Sequence, residues 1–92
     1  MPMKKYCFTL YIAGQSSRSQ RVLANLRRAC EILENSYELV IVDILETPEA
    51  AETDKILAIP TLIKHSPSPR RRIIGDLSNY EALLRELDII SA

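Results

Sequence analysis

Residues 5–13, "KYCFTLYIA", place aromatic and β-branched side chains on both alternating faces, the pattern of a strand covered on both sides. Gly14 permits a turn, and the polar run "QSSRS" that follows offers hydroxyl caps. Val22, Leu23, Leu26, Ala29, Cys30 and Leu33 recur at helical spacing, so a helix is predicted to end near Asn35. Residues 37–45, "YELVIVDIL", read as a buried strand joined to the first by a right-handed parallel crossover. Thr47 before Pro48 starts a short second helix, with proline at its first position and Glu49 in its first turn; it runs to about Leu57. "TLIKH" and "RRIIG" are two short strands separated by "SPSP", which fits a connection between antiparallel neighbours and not a strand interior. Ser78 and Glu81 stand at capping-box spacing, and Leu83, Leu84 and Leu87 then supply the stripe of a closing helix over residues 79–90.

The order βαβαββα is that of an α/β, thioredoxin-like fold, and Pro60 before "TLI" stands where such folds commonly carry a cis-proline. With 92 residues the chain suits one domain, residues 1–92, and function must lie on one surface or in one shallow site. Twelve basic and twelve acidic side chains cancel, so no net field recruits nucleic acid or an anionic membrane. No apolar run is long enough to span a bilayer, and the N-terminus runs into a strand pattern without a small-residue cleavage site. A cytoplasmic protein is expected.

Thiol exchange requires a low-pKa thiolate in the first turn of helix one. Ser16, Ser17, Arg18 and Ser19 fill that turn instead, and a serine there acts as a helix cap. Neither catalytic residue nor cofactor is expected. Cys7 and Cys30 both fall on predicted core faces, too far apart in sequence for a redox or zinc motif. His65 is the single histidine, a poor metal ligand without three companions, and reads as a solvated or hydrogen-bonded loop residue. Arg70, Arg71 and Arg72 follow the prolines on what should be an edge strand, where they either solubilise the edge or meet a partner.

"YIAGQSSRS", "VDILETPEAAETDKILAIPTL" and "RRIIGDLSNYEALL" together resemble the KaiB family of circadian clock proteins over nearly the whole chain. The resemblance implies a non-enzymatic regulator that binds KaiC, a hexameric RecA-type ATPase, and alters its phosphorylation and ATPase state. It also implies clock-output histidine kinases as further partners. Matching basic positions give Lys4, Arg21, Lys55, Lys64, Arg71 and Arg72 as contacts to an acidic face. Arginine suits such contacts through bidentate pairing. The alternative from the fold alone is a thioredoxin-fold adaptor or sensor with an unrelated signalling partner.

The resemblance implies a second arrangement as well. In KaiB proteins the C-terminal half can rearrange into the ground-state order βαββααβ, which packs as a tetramer, while the thioredoxin-like monomer binds KaiC; the free protein is thus a homo-oligomer, tetramer or dimer. Two packings of one sequence need a gap of only a few kcal/mol. Pro60, Glu86 and Asp88 lie in the rearranging half, and "LAIPTLI" and "LLRELDII" suit helix or strand about equally. This chain departs from the family by carrying Glu86 where much of it has glycine, and Ser17 where proline is frequent.

Overall fold

The chain runs β1 (Tyr6–Ile12), α1 (Ser17–Cys30), a 3-10 turn (Glu31–Leu33), β2 (Tyr37–Asp43), α2 (Pro48–Thr53), β3 (Thr61–Ser66), β4 (Arg71–Ile74) and α3 (Tyr80–Glu86). These elements come from a computed structural model that describes residues 5–53, 55, 56, 58–75 and 77–90. The strands form one sheet in the order β2-β1-β3-β4, with β1 parallel to β2 and antiparallel to β3, and β3 antiparallel to β4. This is the predicted α/β, thioredoxin-like architecture.

Helix α1 starts where the sequence supplies a cap: the Ser16 Oγ accepts from the Ser19 N–H at 3.1 Å. Arg27 and Arg28 occupy its last turn, where cations favour the helix dipole. Its stripe Val22, Leu26, Ala29 and Cys30 is buried on Phe8, Leu10 and Ile12 of β1 and Leu62 of β3, together with Leu77, Leu83, Leu84 and Leu87 around α3. Truncating the fully buried Leu26 to alanine would cost about 2–5 kcal/mol. The Arg28 guanidinium lies 4.3 Å above the Tyr80 ring and ties α1 to the start of α3. On the opposite face of the sheet, Tyr11 and Ile63 are buried.

The turn after β1 is held from β2. The Asp43 Oδ1 accepts from the Gly14 N–H at 2.9 Å and from the Leu45 N–H at 3.0 Å. Gly14 has φ +74, which favours glycine, and a Cβ there would meet the exposed Leu45 Cδ1 at 3.1 Å, a contact that a small shift of the leucine relieves.

Several expectations are corrected. Strand β2 is an edge, with Val40 56% and Ile41 39% exposed, because β1 is flanked by β3 on its other side. Cys7 is half-buried, its Sγ 3.9 Å from the Glu38 Oε2 on β2, and so is no core residue. His65 belongs to β3, exposed, with Nε2 2.8 Å from the Thr9 Oγ1. Helix α2 ends at Thr53, short of Leu57, which lies outside the described residues; Lys55 at φ 53 turns the chain. The α3 cap is Asn79, whose Oδ1 accepts from the Ala82 N–H at 3.0 Å, in place of Ser78. That helix stops at Glu86 because Asp88 adopts φ 60. Among the described residues no helix is long and apolar enough to cross a membrane.

Candidate interaction surface

The position that carries reactive thiols in redox-active thioredoxins is here a hollow of about 190 Å³ lined by Ala13, Ser16, Arg18, Ser19, Ile59 and Pro60. The Ile59–Pro60 peptide is cis. Ser16 Oγ also accompanies Ser19 Oγ at 3.1 Å, so the hydroxyls serve the helix start. No cysteine lines the hollow. Cys30 is fully buried, and burial pushes its thiol up to about 11, with Arg27 opposing weakly. A thiol of that kind stays protonated and unreactive.

Of the six basic residues expected at an acidic face, three gather on one sheet edge, one lies on α1, one is buried and one lies outside the described residues. Arg71 and Arg72 are exposed on β4, the edge strand opposite β2. Arg72 Nη1 donates to the Lys55 carbonyl at 3.0 Å, which brings exposed Lys55 to the same edge. Arg21 is exposed on the first half of α1, apart from that cluster. Lys4 lies outside the described residues.

Lys64 behaves differently from the surface cation expected of it. It pairs with Phe8 across β1 and β3, on the core-facing side with Leu62, and its side chain has 0% exposure. Its Nζ reaches the Asp88 Oδ2 at 2.7 Å, and the Arg71 Nε reaches the same oxygen at 3.2 Å. The Tyr6 hydroxyl donates to the Asp88 carbonyl at 2.7 Å. The Lys64 hydrogen bond, then that of Arg71, holds the Asp88 carboxyl below its ordinary range. Desolvation, with the Asp88 charge second, raises the Tyr6 phenol. The network fixes the chain just beyond α3 to β1, β3 and β4. One sequence signal could have found it: Lys64 shares the phase of Leu62 in a short apolar strand, so it had to face inward.

Of the three positions assigned to the rearranging half, Pro60 is buried beside the hollow, Glu86 is the exposed last residue of α3, and Asp88 is the acceptor of this network. Glu86 also lines a groove of about 350 Å³ with Arg71, Arg72, Ile73 and Ile74.

Sheet order, helix placement and a helix-one turn without thiols define a thioredoxin-like domain. Solved structures agree on the fold. The N-terminal domain of Synechococcus elongatus SasA superposes with a TM-score of 0.75 at 15% identity, covering 100% of this chain and 91% of that one. Mitochondrial thioredoxin 3 of Saccharomyces cerevisiae gives 0.72 at 18% identity, covering 96% and 81%. Residues 9–89 match the KaiB domain, and the chain belongs to the KaiB family. It is 50% identical over 91 residues to the circadian clock protein KaiB3 of Synechocystis sp., covering 98% of this chain and 89% of that protein. It is also 50% identical over 93 residues to the circadian clock oscillator protein KaiB of Prochlorococcus marinus (strain MIT 9313), covering 97% and 76%.

Proposed function

We infer that this chain is a non-enzymatic clock or timer regulator that binds a KaiC-like hexameric ATPase and changes its phosphorylation and ATPase state. The observation that carries the reading is the gathering of exposed Lys55, Arg71 and Arg72 at the β4 edge, with Arg72 bonded to the Lys55 carbonyl and Arg71 shared with Asp88, which concentrates positive charge where an acidic surface can meet it. Family membership supports the choice of partner. Arg21 on α1 and Lys4 extend the proposed contact set, and a clock-output histidine kinase is a further proposed partner. Lys64 leaves the set, since a side chain buried against Asp88 has nothing to offer a partner in this fold.

The test is co-precipitation and titration of the purified protein with the host's KaiC-like ATPase, with and without ATP. Arg71→Glu with Arg72→Glu is expected to weaken association and to reduce its salt dependence while the isolated fold stays intact. Unchanged affinity at low salt would return both arginines to the role of a solvated edge. An insulin-reduction assay is expected to show no turnover, since no exposed low-pKa thiol stands at the redox position.

A further inference from the structure

Strand β2 closes one side of the sheet with an apolar edge. The Tyr6 N–H donates to the Ser36 carbonyl at 2.9 Å and the Ile44 N–H to the Ile12 carbonyl at 2.9 Å, so the even-numbered residues of β2 turn their backbone groups toward β1. The residues between turn theirs away. The N–H and C=O of Leu39 and Ile41 therefore face outward. Residues 5–53 are described without interruption, and none of them bonds these groups.

The usual devices that blunt a sheet edge are missing here. Strand β2 has seven residues, carries no proline, lysine or arginine, and pairs with β1 without a register shift. Its charges, Glu38 and Asp43, stand only at the second and last positions; between them run Leu39, Val40, Ile41 and Val42, of which Val40 and Ile41 are exposed. A hollow of about 340 Å³ lies beside the edge, lined by Arg27, Glu34, Asn35, Tyr37, Leu39 and Ile41. It leaves room for incoming side chains and, with one cation and one anion, favours neither sign of charge.

Such an edge is matched by a strand that is apolar in the middle, and this chain carries one. Strand β4 does not qualify, because it would set Arg71 and Arg72 along the apolar run. A second β2 does. Antiparallel pairing about a two-fold axis at Val40 sets Leu39 against Ile41 of the second copy, both with outward backbone groups, as a hydrogen-bonded pair. Val40 then meets its own equivalent, Glu38 meets Val42, and Tyr37 meets Asp43, so no like charges oppose each other.

We propose that β2 pairs with β2 of a second copy of this chain, joining two four-stranded sheets into one of eight strands. This dimer keeps the thioredoxin-like fold, unlike the tetrameric arrangement that the family relation implies, and places a β4 edge at each of its two ends.

The purified full chain tests it, without ATPase. Sedimentation and amide hydrogen exchange at Leu39 and Ile41 are followed as concentration rises. Val40→Lys, at an exposed position, brings two ammonium groups together on the axis and leaves the β1 ladder in place. In a Cys7→Ala background, Val40→Cys is treated with a mild oxidant, which takes two electrons and two protons from the facing thiols as the disulfide forms; the Cα atoms of such a non-hydrogen-bonded pair lie about 4.5 Å apart.

The expected result is a reversible monomer–dimer equilibrium with slowed exchange at both amides as the dimer forms. Val40→Lys raises the dissociation constant by about tenfold or more, and Val40→Cys cross-links where Val42→Cys does not. Exchange at both amides that is independent of concentration overturns the proposal, as does a dimer that Val40→Lys leaves unaltered. Association accompanied by NMR shift changes throughout residues 58–90 belongs to the tetrameric arrangement and overturns it too. Protection that appears only when ATPase is added assigns the edge to that partner, with the same consequence. Should Val40→Lys fail to fold, exchange in the unaltered protein and the cross-link decide.

Discussion

Lys64 and Asp88 are 24 residues apart in sequence, yet their Nζ and Oδ2 lie 2.7 Å apart, with the lysine side chain wholly buried and the aspartate side chain 35% exposed. The asymmetry decides what each substitution does. Lys64→Met removes a buried charge, fills the same volume, and leaves Asp88 with Arg71 and with water; it is expected to change stability by no more than about 1 kcal/mol. Asp88→Ala leaves the Lys64 ammonium buried against the core, and a clearly larger loss follows. Urea unfolding of both variants checks the order. Equal losses would show that the pair, and not the buried charge, sets the cost.

Acid should act through the same carboxyl. Asp88 is held below its ordinary pKa, first by Lys64 and then by Arg71, so it favours the folded state above the unfolded carboxylate value of about 3.9. That contribution is lost as pH falls through the folded-state pKa. Asp88→Asn is therefore expected to be less stable at neutral pH and to close the gap with the unaltered protein on acidification below about pH 4. The Tyr6 phenol, raised by desolvation and then by the Asp88 charge, titrates in the alkaline range, and Glu38 is lowered by Lys5 in both proteins, so the acid limb of the difference isolates Asp88. A gap that stays constant from neutral to acid pH would rule the carboxyl out.

How far the sequence disclosed this structure depends on range. The α1 stripe and its Ser16 cap are local features, and they appear where periodicity put them. The burial of β2 was misread because "LVIV" looks alike in a central strand and at an edge; only strand order, a long-range property, separates the two. Lys64 looked like a surface cation because its partner lies far along the chain and is made reachable by the left-handed turn at Asp88. Ser78 and Asn79 are adjacent polar residues that cap about equally well, and the spacing to Glu81 favoured the one that was not used.

The two cysteines should differ in reactivity. Cys30 is fully buried with its thiol pushed up to about 11, whereas Cys7 is half-buried on the uncovered part of the sheet. Iodoacetamide on the native protein is expected to label Cys7 and to spare Cys30 until denaturant is added, read by peptide mass spectrometry. Cys7→Ala with Cys30→Ala should still bind the proposed ATPase partner. Loss of binding in a variant that keeps its circular dichroism would assign the thiols a role.

Glu34 closes the 3-10 turn with φ 53 and ψ −115, a conformation that costs a residue with a Cβ, and its side chain is exposed. Glu34→Gly relieves that strain, offset in part by the greater freedom of glycine in the unfolded chain. A net gain on the order of 1 kcal/mol or less is expected, seen as a higher urea midpoint at constant slope. A lower midpoint would mean that the Glu34 side chain contributes more than its backbone costs.

Glu86 bears on the balance between this fold and the tetrameric arrangement that the KaiB relation implies. Here it is the last residue of α3 and exposed, so glycine would forfeit only part of the interior penalty of about 0.8–1.0 kcal/mol. The helix is bracketed by Leu77 at φ 59 and Asp88 at φ 60, two side-chain-bearing residues in the left-handed region. Each is unfavourable on its own, and burial of Leu77, Leu83, Leu84 and Leu87 with the Lys64–Asp88 pair offsets them. A second packing of the same sequence needs a gap of only a few kcal/mol, and across such a gap a small helix term shifts the population measurably. Glu86→Gly is expected to lower the monomer fraction at fixed concentration by a factor of up to about five, and to slow binding to the proposed ATPase partner accordingly. Sedimentation at several concentrations, to separate mass action from the intrinsic shift, and backbone NMR of both variants measure it. An equal or larger monomer fraction in the glycine variant would show that the packing around Leu83, Leu87 and Asp88, and not helix preference at position 86, sets the equilibrium.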